Sequence, residues 1–216
     1  HVGAEIFPLL KTGGLADVLG ALPGALRRAG ADARVLLPAF PALLTALRGV
    51  REVAALGAPW GGAPAKLLAG HFDAPALAGL PVYLLRQEAL FNRPGNPYSD
   101  AQGAAYVDNH RRFAMLGLAA ARLAEGADPE WLPQVVHGHD WHAGLALAYL
   151  AFSRAAGASR AASVFTIHNL AYQGNFASSV FGELGLPAAA YTLHGVEFHG
   201  QVSFIKAALH YADRIT

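Results

Sequence analysis

The loop Lys11-Thr12-Gly13-Gly14-Leu15 carries residue types that can bind a phosphate group. The adjacent glycines, Gly13 and Gly14, let backbone N–H groups approach a ligand closely, and Lys11 adds a full positive charge. A helix is predicted to start directly after the loop, and the N-terminus of a helix favours negative charge. These features suit a diphosphate, although the spacing is neither that of a Walker loop nor that of the dinucleotide-binding fingerprint. An ordinary strand-to-helix turn with a surface lysine is the alternative.

A second polar segment, residues 137–142 (HGHDWH), follows a short apolar run. One interpretation is a zinc site formed by four residues: His137, His139, Asp140 and His142. In the metallohydrolase motif H-x-H-x-D-H, however, one residue separates the second histidine from the aspartate, whereas Asp140 directly follows His139. The second interpretation is sugar binding, because Asp140 accepts hydrogen bonds from hydroxyls and Trp141 offers an apolar face. Structural histidines that only satisfy backbone groups are the third.

A third segment, residues 166–174 (TIHNLAYQG), follows another apolar run. His168 and Asn169 supply an imidazole and an amide, which can hold hydroxyl groups or stabilise a developing charge. A histidine that is satisfied within the core is the alternative interpretation. The position at the end of a predicted strand favours a role in ligand binding, because ligand-binding residues concentrate at such places.

These segments need a scaffold that brings them together, and the order of the elements predicts one. Short β-like runs alternate with helical stretches, which is typical of an α/β fold with a parallel sheet covered by helices. The predicted strands are 33–37, 80–86, 135–137 and 163–167, with another beginning at 214–216 and short antiparallel strands within 57–79. The predicted helices are 15–28, 102–125, one beginning near 143, and 201–212. Ligands of open parallel sheets bind outside the carboxyl ends of the strands, where the second and third segments would lie.

The bulk properties exclude several classes of protein. The formal net charge of +1 gives no electrostatic argument for a nucleic acid or an anionic membrane as the main partner. Cysteine is absent, so the chain has neither disulfides nor a thiolate zinc site, and the cytoplasm is the expected compartment. The longest apolar stretches, 113–121 and 143–152, reach about half of the ~20 residues that a membrane-spanning helix needs, so we expect core helices there.

The three segments, in this order, resemble the bacterial glycogen synthases and plant starch synthases. That family starts with H-V-x-x-E-x-x-P-x-x-K-T-G-G-L-A-D-V, which residues 1–18 match. Further family-like segments occur at 36–41, 93–98, 136–144, 166–174 and 200–216. The resemblance therefore covers nearly the whole chain, and several motifs in register make it specific.

The resemblance implies a two-domain GT-B transferase that moves glucose from ADP-glucose to the non-reducing end of an α-1,4-glucan with retention of configuration. It implies no metal and no other cofactor. The fold would be a Rossmann-like open parallel sheet with helices on both faces. Residues 1–216 would form the N-terminal, acceptor-side domain, incomplete at both ends, and the C-terminal nucleotide-binding domain would be absent. We therefore expect the chain alone to be inactive.

The resemblance also implies roles for residues that match the family motifs. Lys11, Gly13 and Gly14 would contact the sugar nucleotide. Asp140, His168 and Asn169 would line the pocket for the donor glucose and the acceptor, with Tyr98 nearby. His168 and Asp140 are the expected catalytic residues, with His168 orienting the glucose and stabilising an oxocarbenium-like transition state by electrostatic positioning. A zinc-dependent hydrolase and a glucan-binding module without catalysis are the alternative functions.

Overall fold

Helices alternate with parallel strands along the chain, which confirms the predicted α/β class. The computed structural model describes residues 1–61 and 63–216, which form two compact units. The first unit contains residues 1 and 3–106, and the second contains residues 2 and 107–216. The assignment of all 216 residues to one N-terminal domain stays a prediction.

The first unit contains a four-stranded sheet in the order β1-β4-β3-β2. Its strands are β1 (Val35–Pro38), β2 (Leu47–Gly57), β3 (Ala65–Phe72) and β4 (Pro81–Arg86). Its α-helices are α1 (Gly14–Arg28), α2 (Pro41–Ala46) and α3 (Glu88–Phe91), and a 3-10 turn covers Pro75–Leu77. β1 and β4 are parallel, and every residue of β1 is buried, as expected for a strand that is covered on both faces. The antiparallel strands predicted within 57–79 correspond to β3, which pairs with β2 and β4.

Helix α1 fixes the position of the loop that precedes it. It begins at Gly14, one residue before the start that the apolar periodicity predicts, and Arg27 and Arg28 favour its C-terminal end. Its buried face includes Leu15 and Leu19. A Cβ atom on Gly20 would lie 2.7 Å from the carbonyl oxygen of Phe7, so only glycine allows α1 to pack this closely against the backbone before the loop.

The second unit contains a parallel sheet in the order β10-β6-β5 and a small antiparallel sheet in the order β7-β9-β8. Its strands are β5 (Val135–His139), β6 (Ala162–Thr166), β7 (Asn175–Ala177), β8 (Glu197–Phe198), β9 (Gln201–Ser203) and β10 (Arg214–Ile215). Its α-helices are α4 (Asn109–Ala124), α5 (Gly144–Ala155) and α6 (Phe204–Tyr211). Shorter 3-10 helices cover Trp141–Ala143, Ser178–Glu183 and Ala188–Ala190.

Helices α4 and α5 supply much of the core of the second unit. The side chains of Phe113 and Leu116 on α4 and of Leu147 and Leu150 on α5 are fully buried. This confirms the prediction that both apolar stretches are core helices. Within the described ranges, no helix combines the length and hydropathy that crossing a membrane requires.

Two predicted helix boundaries are wrong, and in both cases side-chain hydrogen bonds favour another local structure. The helix predicted from residue 102 begins at Asn109, because the carboxylate of Asp100 accepts the N–H groups of Gln102 and Ala104 and stabilises a turn. The helix predicted from residue 201 begins at Phe204. Residues 201–203 form β9 instead, and the hydroxyl of Ser203 accepts the N–H of Lys206 and caps α6.

Gly174 allows the third polar segment to turn beside an aromatic ring. Its φ is 61°, and a Cβ atom built there would overlap the Trp141 ring, with Cδ2 only 3.0 Å away. Its carbonyl oxygen accepts the N–H of Phe204, the first residue of α6. A side chain at this position would therefore disturb both the turn and the start of the helix.

Gly174→Ala should lower the free energy of unfolding more than Gly157→Ala, which serves as the matched control. Both glycines have positive φ, 61° and 75°, but no atom in residues 1–61 and 63–216 lies within 4 Å of a Cβ built on Gly157. The left-handed backbone costs an alanine about 1–2 kcal/mol at either position. The overlap with Trp141 should add ~1–3 kcal/mol at Gly174 alone. Urea unfolding of the two variants measures the difference, and equal losses would contradict the close approach of Gly174 to Trp141.

Candidate functional site

The amino group of Lys11 is held by an ion pair that is easily exchanged. Its Nζ lies 2.7 Å from both carboxylate oxygens of Asp17, in the first turn of α1. Both side chains are about half exposed, and ion pairs in such positions contribute only ~0–1 kcal/mol. Lys11 can therefore leave Asp17 for another anion at little cost.

Glu5 is the central residue of this loop, and the sequence analysis gave it no role. Its side chain is buried, with 2% of the residue exposed. Oε1 accepts hydrogen bonds from the hydroxyls of Thr12, at 2.6 Å, and Tyr98, at 2.5 Å. Oε2 accepts the backbone N–H groups of Thr12 and, at 3.1 Å, of Gly13. The signal that could have identified it is a glutamate within the apolar run Ala4-Glu5-Ile6, at the position where the family pattern has its E.

Through Glu5, the first unit brings together four of the predicted site residues: Lys11, Gly13, Gly14 and Tyr98. The two glycines differ in the hydrogen bonding of their amides. The N–H of Gly13 donates to Glu5, whereas the N–H of Gly14 reaches no acceptor in the described part of the chain. Tyr98 is fixed from its own side by a turn in which Asn96 Oδ1 accepts the Tyr98 N–H at 2.8 Å. The loop and the tyrosine are thus held in a common hydrogen-bonded arrangement.

The second and third polar segments leave the sheet at the same edge. β5 and β6 are parallel, and their register pairs His139 with Thr166, so Asp140 and His168 both lie just beyond the carboxyl ends of neighbouring strands. The N–H of Asp140 donates to the carbonyl oxygen of Thr166 at 2.9 Å. This confirms the predicted placement of these segments in the sheet.

Asp140 holds the backbone of the third segment. Its Oδ1 accepts the N–H groups of His168 at 2.8 Å and Asn169 at 3.2 Å. Its own backbone has φ 58° and ψ 178°, a region that is nearly restricted to glycine and costs about 1–3 kcal/mol. Within residues 1–61 and 63–216, Oδ2 accepts no hydrogen bond. The strained backbone therefore places one oxygen on the loop, while the other has no donor among the described residues.

Three imidazole rings stack next to Asp140. The centroids of His137 and His139 are 4.1 Å apart, and those of His139 and His168 are 5.2 Å apart. His139 Nδ1 lies 3.0 Å from His168 Nε2, so one of these nitrogens donates to the other. Burial holds the pKa of His139 well below its ordinary value, and the ring is therefore neutral near pH 7. A fixed, neutral His139 restricts the orientation of the His168 ring.

His137 is positioned by strand β6. Its Nε2 lies 2.7 Å from the hydroxyl of Thr166, and burial lowers the pKa of His137 to about 4. A neutral ring at this place can stack on His139 without repulsion between two cations. His137 therefore supports the ring that positions His168.

Asn169 turns the chain after His168. Its Oδ1 accepts the N–H of Ala171 at 3.0 Å, which is the geometry of an Asx turn. The residue is exposed, and this hydrogen bond leaves the Nδ2 amide group as a donor for a ligand. The second unit thus brings together Asp140, His168 and Asn169.

The two aromatic residues that end the second segment pack beside α4, with His142 buried and Trp141 half-buried. His142 is buried 5.6 Å from the Phe113 ring, and burial lowers the pKa of His142 to about 3. Trp141 packs edge-on against Phe113 at 4.9 Å. Among residues 1–61 and 63–216, no group of three adjacent metal-ligating atoms includes Asp140 or His142. The predicted four-residue zinc set of His137, His139, Asp140 and His142 is therefore not assembled here.

Comparison with known proteins gives a consistent result over the whole chain. The model of the starch synthase catalytic domain family matches residues 1–216. The glycogen synthase of Variovorax paradoxus is 59% identical over 217 residues, which cover 100% of this chain and 44% of that protein. The glycogen synthase of Leptothrix cholodnii is 54% identical, with 99% of this chain and 44% of that protein covered. The chain thus spans less than half the length of these curated relatives.

A solved structure shows the same fold. The catalytic domain of starch synthase IV from Arabidopsis thaliana, bound to ADP and acarbose, matches with a TM-score of 0.81 and 26% identity. The match covers 100% of this chain and 43% of that one. It confirms the expected α/β fold of a GT-B starch synthase catalytic domain.

Proposed function

Because the chain belongs to the starch synthase catalytic domain family of glycosyltransferases, we propose that it forms the acceptor-side half of an enzyme that transfers glucose from ADP-glucose to the non-reducing end of an α-1,4-glucan with retention of configuration. The observation that carries the proposal is the cluster of Asp140, His168 and Asn169 at the carboxyl ends of β5 and β6. The ADP in the similar starch synthase structure supports an adenine nucleotide as the leaving group.

Lys11 and the start of α1 would bind the donor diphosphate. The weak pair with Asp17 leaves the lysine able to move to a phosphate. The amide of Gly14, which has no acceptor among the described residues, adds a donor at the positive end of the helix. No atom of the described residues lies within 4 Å of a Cβ built on Gly13 or Gly14, and neither has a positive φ. Since the fold does not require glycine at these positions, their small size is available for the close approach of a ligand.

The polar cluster of the second unit would hold the glucose that is transferred. Asp140 Oδ2 would accept a hydrogen bond from a glucose hydroxyl, and Asn169 Nδ2 would donate one. His168, oriented by His139, would stabilise the oxocarbenium-like transition state as the bond between glucose and diphosphate breaks. Asp140, Asn169 and His168 would contribute by positioning the glucose and by electrostatic stabilisation. Tyr98 would contact substrate next to the Lys11 loop.

The complete reaction would also need groups outside this chain. The curated relatives are more than twice as long, and the chain covers 44% of them. We therefore propose that the remaining part of such an enzyme supplies a nucleotide-binding domain, and that residues 1–216 alone do not turn over. Function in the cytoplasm and without a metal or other cofactor belongs to the same proposal.

A chimera tests the proposal directly. This chain would replace the matched segment of the Variovorax paradoxus glycogen synthase, and radiolabelled ADP-glucose or UDP-glucose would be offered with glycogen. We expect ADP-glucose-dependent incorporation of label that α-1,4-specific amylase releases, which shows an α-linked product from an α-linked donor. An Asp140→Asn chimera is the matched control. It keeps the Oδ1 bonds, exchanges the free oxygen for a donor, and should lose about 100-fold or more in kcat.

Binding of ADP-glucose by the unsubstituted chimera without extension of the glucan would contradict the proposal. Binding of maltooligosaccharides without any affinity for the donor would favour the glucan-binding module instead.

Gly14→Ala should leave the fold intact but weaken donor binding. Alanine in a helix gains up to about 1 kcal/mol over glycine, so the variant should be as stable as the wild type or more stable. The added methyl group would occupy space that the diphosphate approaches, and we expect KM for ADP-glucose to rise about tenfold in the chimera.

Gly24→Ala is the control for this effect, because Gly24 lies in the same helix and its Cβ would meet only Arg28 Nη1, at an ordinary 3.6 Å. It should gain similar stability with KM unchanged. An unchanged KM in both variants would count against a ligand at the start of α1.

A further inference from the structure

Glu5 is a buried carboxylate whose charge is stabilised by hydrogen bonds from amides and hydroxyls. Two backbone N–H groups and two hydroxyls donate to its oxygens, and they come from Thr12, Gly13 and Tyr98. A buried charge is strongly unfavourable unless such donors surround it. The carboxylate and its donors therefore constrain one another, and the loop cannot move far without exposing the charge or leaving it without donors.

The hydrogen bonds of Glu5 change how the loop can recognise an anion. The amides of Thr12 and Gly13 lie where a glycine-rich loop would be expected to bind phosphate oxygens. A carboxylate of the chain itself already occupies them. A bound phosphate would have to displace Glu5 from a buried position, or bind beside it.

We propose that Glu5 is a positioning residue for the donor site: its carboxylate occupies the amides of Thr12 and Gly13 in place of a phosphate and thereby presents Lys11 and the Gly14 amide to the donor diphosphate. The inference rests on the proposed function, since it assigns the diphosphate to this loop. Glu5 itself does not touch the donor. It acts by fixing the loop conformation before the ligand binds, which reduces the conformational entropy that the loop loses on binding.

The same carboxylate connects the loop to Tyr98. Tyr98 lies 93 residues further along the chain, and its hydroxyl shares Oε1 with the hydroxyl of Thr12. Movement of either group changes the hydrogen bonding of the other. Glu5 therefore couples the geometry of the donor loop to that of a predicted substrate-binding tyrosine.

Two substitutions separate hydrogen bonding from charge. In Glu5→Gln, the side-chain oxygen can accept the two amides while the Nε2 group donates to the hydroxyls of Thr12 and Tyr98, each of which can also accept. All four contacts are then retained without the charge. In Glu5→Ala, all four are lost and the loop is released.

The test is a kinetic comparison in the chimera described above, with ADP-glucose and UDP-glucose as donors. Glu5→Gln should stay within about threefold of the wild type, and Glu5→Ala should raise KM for the donor about tenfold or more while kcat changes less than about threefold. Glu52→Gln, which removes the charge from an exposed pair with Lys66 in the same unit, is the control and should change neither parameter.

Two results would overturn the inference. Equal losses in Glu5→Gln and Glu5→Ala would show that the charge itself acts on the substrate. A fall in kcat with KM unchanged in Glu5→Ala would show that Glu5 only maintains the fraction of folded enzyme.

Thr12→Val decides the question if Glu5→Ala does not fold. Thr12 is exposed, and valine has the same shape but cannot donate to Oε1, so the substitution should raise KM for the donor about threefold and leave the fold intact. An unchanged KM would count against the inference.

The dissociation constant for ADP, measured by calorimetry on the same chimeras, separates this inference from the proposed function. If the unsubstituted chimera binds ADP but extends no glucan, the proposed function fails. The Glu5 assignment is then judged from ADP affinity alone, which should fall about tenfold in Glu5→Ala and stay close to wild type in Glu5→Gln.

Discussion

The constraint on which both candidate ligand-binding regions depend is that a buried carboxylate must be surrounded by hydrogen-bond donors. In each unit, an acidic side chain meets this requirement with backbone amides of a loop: Glu5 accepts those of Thr12 and Gly13, and Asp140 accepts those of His168 and Asn169. The loops have little regular secondary structure of their own. Their conformation is therefore fixed by a charge that would be too costly to leave without donors.

In these regions the loop backbone is held rigidly, whereas at least one charged side chain can exchange its partner. Asp140 keeps a strained backbone conformation, which persists only because the surrounding hydrogen bonds determine it. The side chain of Lys11, which is proposed to contact the diphosphate, is held more loosely, in a half-exposed pair with Asp17. Such an arrangement presents a ligand with fixed loop geometry and with charged groups that can still move to it.

The sequence predicted those features that local patterns determine. The periodicity after Gly14 predicted α1, and the apolar runs before His137 and His168 predicted that both segments follow strands of one parallel sheet. It failed where a few side-chain hydrogen bonds decide the local structure, as at Asp100, which delays the start of α4, and at Ser203, which ends a short strand and caps α6. The bond of Glu5 to Tyr98 and the contact of His139 with His168 could not be found from spacing, because these partners lie 93 and 29 residues away along the chain.

Amide hydrogen exchange of the 216-residue chain, followed by NMR, tests the central claim most directly. The amides of four loop residues should exchange slowly, because each donates to a buried carboxylate: Thr12, Gly13, His168 and Asn169. The amide of Gly14, which has no acceptor in the described residues, is the internal reference and should exchange ~100-fold faster or more. Exchange of the four amides at the rate of Gly14 would contradict the account, because the carboxylates would then not hold the loops.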